Sequence, residues 1–274
     1  MGIVNVTPDS FSDGGRFLDP GAATAHGLAL VAAGADLLDV GGESTRPGAD
    51  PVDDAEERAR VVPAIARLAA ESGVPVSVDT TKASVAAAAL DAGATIVNDV
   101  SAGVADPAML GLVATAGAGY VAMHRRGDPR TMQHDVHYDD VVRDVTHHLL
   151  KRRDAAVAAG IAPAAVCVDP GIGFGKLTEH NLALLAHLDV IVDRVDAPVL
   201  VGASRKAFLG HVLDDARGQS APIDAASRDD ATLATTMWAI DHGAAVVRVH
   251  DARSSVDAVR LWVTMRDLDA RAVA

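Results

Sequence analysis

Apolar residues along this chain fall into short β-branched runs separated by longer Ala- and Leu-rich stretches of helical period. Four junctions between the two patterns resemble one another: "AGADLLDVGGES" from Ala33, "AGATIVNDVSAG" from Ala92, "AGAGYVAMHRRG" from Ala116 and "HGAAVVRVHDAR" from His242. Each sets a Gly directly after a helical stretch, where a left-handed residue suits a helix C-cap. A short apolar run follows, then a polar or glycine-containing segment. Strands apolar on both faces belong in parallel sheets covered by helices.

The same punctuation predicts strands at Gly2–Asn5, Leu37–Val40, Pro75–Asp79, Thr95–Asn98, Tyr120–Met123, Val166–Asp169, Pro198–Gly202 and Val246–His250. Helices are expected at Ala22–Ala33, Asp54–Ser72, Lys82–Ala92, Pro107–Ala116, Asp139–Ala159, Asp229–His242 and Ser254–Arg266, among others. Strands alternating with helices in this way predict an α/β fold, a (β/α)8 TIM barrel with its active site at the C-terminal ends of the strands. A doubly wound open sheet is the rival. The strand count favours the barrel, and no glycine-rich dinucleotide turn follows the first strand. No Pro/Gly/Ser linker or composition break divides the chain, so residues 1–274 are expected to form one domain.

Composition narrows the function. The 274 residues carry 24 Lys+Arg against 37 Asp+Glu, a net charge of −13. That balance argues against nucleic acid and against an anionic membrane surface as partners. It leaves room for an anionic small molecule held by a local basic pocket. No apolar run is long enough for a membrane helix, no signal peptide precedes the first strand, and the single cysteine, Cys167, reads as a buried structural thiol. A cytoplasmic location is expected.

The strand ends are where the chemistry concentrates. They carry Asn5, "GGESTRPGA", Asp79, Asn98, Met123 and His124, Asp169, "ASRK" and "RVHD". One such Asp alone reads as a helix cap; polar groups of mixed type at every strand end read as a site. Asp79, Asp169, Asn98 and Lys206 supply donors and acceptors to a flat nitrogen heterocycle, since a buried carboxylate accepts two bonds from a guanidine-like edge. Arg248 and His250 stand two apart and so point the same way. With "VGASRK" they suit a phosphate near the last two strands. "HDVHYDD" (134–140) reads as a solvated, helix-capping loop, His147 and His148 as surface residues, and "DPVDDAEER" as a helix N-terminus.

The motifs "MGIVNVTPDSFSDGG", "VGGESTRPGA", "VNDVSAG", "DPGIGFGK", "GASRKAFLG" and "VRVHD" resemble, in order, the motif series of the dihydropteroate synthase family. The resemblance implies a transferase of folate biosynthesis. Such an enzyme condenses 6-hydroxymethyl-7,8-dihydropterin pyrophosphate with p-aminobenzoate, giving 7,8-dihydropteroate and pyrophosphate by an SN1-like route. It implies that Asp79, Asn98, Asp169 and Lys206 hold the pterin, and that Asn5, Arg248 and His250 hold the pyrophosphate, with Mg²⁺ beside Asn5. Phe11, Thr45, Arg46 and Pro47 would enclose p-aminobenzoate, the site of sulfonamide inhibition. Asp13, Arg46, Lys206, Arg248 and His250 would act in catalysis. The polar stretch after Asn5 is then a lid. A homodimer through helices near the chain end, around Trp262, is also implied.

Three departures from the family pattern are visible. Met1 stands almost inside the first strand, so a shortened start and lower stability are expected. Ala207 replaces a Ser that contacts p-aminobenzoate in some relatives; a backbone contact would survive this, a hydroxyl contact would not. Arg125 replaces a more usual Met or Trp, with little effect on chemistry expected. Two other functions were weighed: a pterin-binding methyltransferase barrel, disfavoured by the two long loops and "SRK", and a silent paralogue, disfavoured by intact Asn5, Lys206, Arg248 and His250.

Overall fold

The structure is a computed structural model and describes residues 1–7, 20–46, 48–128, 130–217 and 223–273. The strands are β1 Gly2–Asn5, β2 Leu38–Gly41, β3 Val76–Asp79, β4 Ile96–Asp99, β5 Gly119–Met123, β6 Val166–Asp169, β7 Leu200–Val201 and β8 Val246–Val247. Strands β1 to β6 form one parallel sheet in sequence order, and β7 pairs with β8. Parallel bridges Val168–Val199 and Gly2–Val249 join the two sheets at both ends and close the ring. Main-chain bonds from Ile3 N to Val249 O (3.1 Å) and Val168 N to Pro198 O (2.9 Å) run along these seams. The fold is the expected (β/α)8 barrel.

Helices surround the staves: α1 Pro20–Ala32, α2 Asp54–Glu71, α3 Ala83–Asp91, α4 Met109–Ala116, α5 Val141–Ala158, α6 Thr178–Ala186, α7 Leu188–Val195, α8 Ala207–Arg217, α9 Asp229–Asp241 and α10 Ala252–Val273. Helix α2 starts where the acidic run predicts, with Asp53 accepting from Glu56 N at 2.8 Å. Asp140 caps α5 in the same way, accepting from Arg143 N at 3.0 Å. The repeat glycines end helices as expected; Gly117, the C-cap of α4, has φ 64°.

Outward-facing Val4, Val40, Val78 and Val97 join Ile65, Leu68 and Met109 in one fully buried cluster. A second cluster gathers Val145, Leu184, Ile191, Val199 and Phe208 on the β6–β8 side. Burying one such side chain contributes about 1.5–3 kcal/mol. Two differences from the sequence expectation stand out. Strands β7 and β8 are only two residues each, because their pairing thins to single bridges at the seams. Helices α6, α7 and α8 fill gaps for which the sequence reading gave no bounds, and the first of these gaps holds two helices, α6 and α7, which break at His187, whose φ −116° and ψ 32° are non-helical.

Candidate functional site

Parallel register decides which side chains meet at the barrel mouth. Asn5 pairs with Gly41, Gly41 with Asp79, and Asp79 with Asn98. Residues in register share a face, so these positions form one inward layer. Asp39 sits one layer deeper, paired with Ile3 and fully buried. An ionised carboxylate only accepts hydrogen bonds. Asn98 therefore turns its amide nitrogen to Asp39 Oδ2 at 3.0 Å and keeps its amide oxygen as an acceptor. Arg248, just past β8, ties the two layers together. Its Nε donates to Asp39 Oδ2 at 2.6 Å and its Nη2 to Asp79 Oδ2 at 3.0 Å. Asp79 thus points into the barrel mouth and does not cap α3, whose N-cap is Lys82.

Burial sets the charge states. It pushes the Asp79 carboxyl up to about 7, aided by the negative charge of Asp39 and opposed by Arg248. Burial raises Asp169 as well, against the pull of Lys206 and of Gly171 N, which donates to Asp169 Oδ1 at 2.7 Å. Lys206 is drawn down to about 8 by the same desolvation, opposed by Asp169. Its ammonium donates to the Ile172 carbonyl and lies 4.4 Å from the Phe174 ring centre.

His250 is neutral. Burial and the nearby cations Arg205, Arg248 and Arg46 hold its imidazole down to about 3. A neutral imidazole can still hold a pyrophosphate, as a hydrogen-bonding group and not as a cation. Ser204 Oγ accepts from His250 N at 3.2 Å and lies 2.8 Å from Nδ1. Ser204 therefore holds the ring at Nδ1 and leaves Nε2 for a ligand.

The turn carrying Ser204 and Lys206 is built on a strained residue. Arg205 has φ 59°, which costs a non-glycine residue about 1–3 kcal/mol unless its surroundings enforce it. Arg205 N donates to Thr232 Oγ1 (2.9 Å), its guanidinium grips Asp229 at 2.7 and 2.8 Å, and its carbonyl accepts from Arg228 Nη1 (3.0 Å).

The loop after β6 is fixed by Lys176, which is 2% exposed. Its Nζ lies 2.8 Å from His124 Nδ1, 2.9 Å from Gly171 O and 3.1 Å from Phe174 O. Burial drives the Lys176 pKa well down and takes His124 to about 2. His148 packs edge-on against His124, with ring centres 4.7 Å apart, and is drawn down to about 4 by burial. It is thus half-buried, a correction to its reading as a surface residue.

Asn5, Thr45, Arg46, Asp79, Asn98, Asp169, Lys206, Ala207, Arg248 and His250 all line one cavity of about 1080 Å³. The structure brings together every expected site residue that it describes. Phe11, Asp13 and Pro47 lie outside the described residues. Asp39 escaped the sequence reading, while Lys176 and Ser204 lay inside its motifs without a role of their own. Asp39 had a signal, a charge inside the apolar run "LLDV"; the partners of the other two are set only by folding. Cys167 is half-buried, and burial and then Asp169 push its thiol up to about 12. Among the described residues the segment 134–140 forms no cluster fit for a metal.

Comparison with known proteins agrees with this geometry. The family profile described as "Pterin binding enzyme" matches residues 1–250. The dihydropteroate synthase of Mycobacterium leprae is 52% identical over 262 residues, covering 95% of this chain and 91% of its own. A crystal structure of Yersinia pestis dihydropteroate synthase with a sulfonamide drug superposes with TM-score 0.91 at 40% identity, covering 97% of this chain and 94% of that one. A Xanthomonas albilineans dihydropteroate synthase in complex with 7,8-dihydropteroate matches with TM-score 0.84 at 43% identity, over 97% and 92% of the two chains. The matched span contains every described residue that lines the cavity, and the chain belongs to the pterin-binding enzymes and, among them, to the dihydropteroate synthase family.

Proposed function

We propose that this protein joins 6-hydroxymethyl-7,8-dihydropterin pyrophosphate to p-aminobenzoate, releasing pyrophosphate and forming 7,8-dihydropteroate in folate biosynthesis. One observation carries the reading: a buried row of acceptors and a cluster of cations share a single cavity. Asp79, Asn98 and Asp169 face the guanidine-like edge of the pterin, and Lys206 donates to its acceptors. Arg248 is held by Asp39 and Asp79 on one side, so its orientation is set before substrate arrives.

The expected chemistry begins with cleavage of the bond between the exocyclic methylene carbon and pyrophosphate, the electron pair leaving with oxygen. Asp79 and Asp169 balance the positive charge left on the pterin. Arg248 and the imidazole of His250 receive the departing anion. The neutral arylamine then attacks the methylene carbon and loses a proton to solvent. Thr45 and Arg46 border the arene site, with Phe11 and Pro47 proposed as its remaining walls, and sulfonamides are expected to occupy it. Ala207, exposed at the start of α8, offers only a backbone contact there.

Asn5 suits a magnesium ion that arrives on the pyrophosphate. It offers one neutral oxygen, and such an ion keeps waters and phosphate oxygens as its other ligands; it would neutralise charge on the leaving group. A cytoplasmic location fits the finding that no described helix is long and apolar enough to cross a membrane. A homodimer fits α10, where exposed Leu261, Met265 and Leu268 form a stripe at helical spacing, with Trp238 of α9 also exposed.

The test is direct. Purified protein given both substrates and Mg²⁺ should release pyrophosphate only when p-aminobenzoate is present, with dihydropteroate formed in equal amount. Release that ignores p-aminobenzoate, or none, would overturn the reading.

A further inference from the structure

Lys82 sits where a lysine should not be. It is the N-cap residue of α3 and makes no side-chain capping bond. A positive charge at a helix N-terminus opposes the helix dipole. Its ammonium instead bridges two carboxylates, Glu43 and Glu57, the latter at 2.5 Å. Glu57, in the first turn of α2, has a side chain only 1% exposed, and burial raises its pKa. An unpaired carboxylate at that depth would be costly, so Lys82 accounts for Glu57, and both reach toward Glu43.

Glu43 belongs to "GGESTR", just before Thr45 and Arg46, and lines the cavity. The residue before it is docked just as firmly. The Gly42 carbonyl accepts from Arg60 Nη1 at 2.7 Å, and a Cβ on Gly42 would lie 2.7 Å from Val61 Cγ1. The base of this loop is thus pinned to α2 and α3, while its tip faces the cavity.

We propose that the Lys82–Glu43–Glu57 cluster is a clamp that positions Thr45 and Arg46 for the arylamine substrate, making Lys82 a positioning residue of the second half-reaction. Without Lys82, two carboxylates face one another and Glu43, the more exposed of the two, swings away with its loop. The deep pterin contacts are on other elements and stay in place. This inference rests on the assignment of the arene to that loop.

Two readouts separate the clamp from the assignment. In Lys82→Met, amide hydrogen exchange of the peptide spanning 42–46 should quicken, and in Glu43→Gln likewise. The KM for p-aminobenzoate should rise by about tenfold or more, the scale of a small misplacement in a site. The Kd for the pterin pyrophosphate should stay within about twofold, and Lys82→Arg should recover the wild-type KM. Unchanged exchange in both variants would overturn the clamp. Quickened exchange with an unchanged KM would instead sink the placement of the arene. A rise in KM matched by equal weakening of pterin binding would show Lys82 to be a general structural residue and overturn the proposal.

Discussion

Asp79 and Lys206 are the residues whose charge matters and whose charge is least secure. Accepting two pterin N–H bonds at once requires ionised Asp79, a form that grows as pH rises through about 7. Donating as an ammonium requires charged Lys206, a form that fades as pH rises through about 8. Affinity for the 6-hydroxymethylpterin ring should therefore rise and then fall in a narrow bell, measurable by titration calorimetry between about pH 6 and pH 9. His250, held down to about 3, adds no limb in that range. Lys206→Arg should carry the alkaline limb upward. Asp79→Asn should remove the acid limb and cost about 100-fold in kcat/KM, equal to about 3 kcal/mol. An Asp79→Asn enzyme with a wild-type profile would remove that carboxylate from the pterin site. The identities of these residues were legible in the sequence; their pKa values were not, since burial and the reach of Arg248 depend on strands distant along the chain.

The element that concentrates most constraint is the loop between β6 and α6. Gly171 has φ 66°, and a Cβ there would fall 1.9 Å from the His124 carbonyl oxygen. Gly175 is pressed the same way, 2.4 Å from the Arg126 carbonyl oxygen. Gly171→Ala should cost about 3 kcal/mol or more from backbone strain and overpacking, read as a lowered denaturation midpoint. Turnover should also fall, because the loop presents the Ile172 carbonyl to Lys206. Stability equal to wild type would show that the loop does not depend on that contact. The motif "DPGIGFGK" announced a turn rich in glycine, but not that His124 and Lys176 would lock it from beneath.

Taken whole, the barrel is a ring with two light seams. Main-chain pairing is continuous from β1 to β6 and reduced to bridges on either side of β7 and β8. Those last two staves carry the turn with Ser204 and Lys206 and the segment with Arg248 and His250. Outside the ring, the apolar stripe of α10 is the surface proposed for the homodimer contact. Leu261→Glu with Leu268→Glu should convert a dimer to a monomer in light scattering at micromolar concentration. A double variant with the wild-type mass would place the interface elsewhere.

The sequence by itself determined the order of strands and helices, the glycine stops and the polar residue at each strand end. Those features follow from local periodicity and backbone preference, which need no tertiary partner. Only the tertiary structure decided that Asp39 joins Asn98 and Arg248, that Ser204 holds the ring of His250, and that Lys82 serves a loop on another stave. Each of these depends on side chains brought together by parallel register and barrel closure, contacts between residues far apart along the chain that no local pattern encodes.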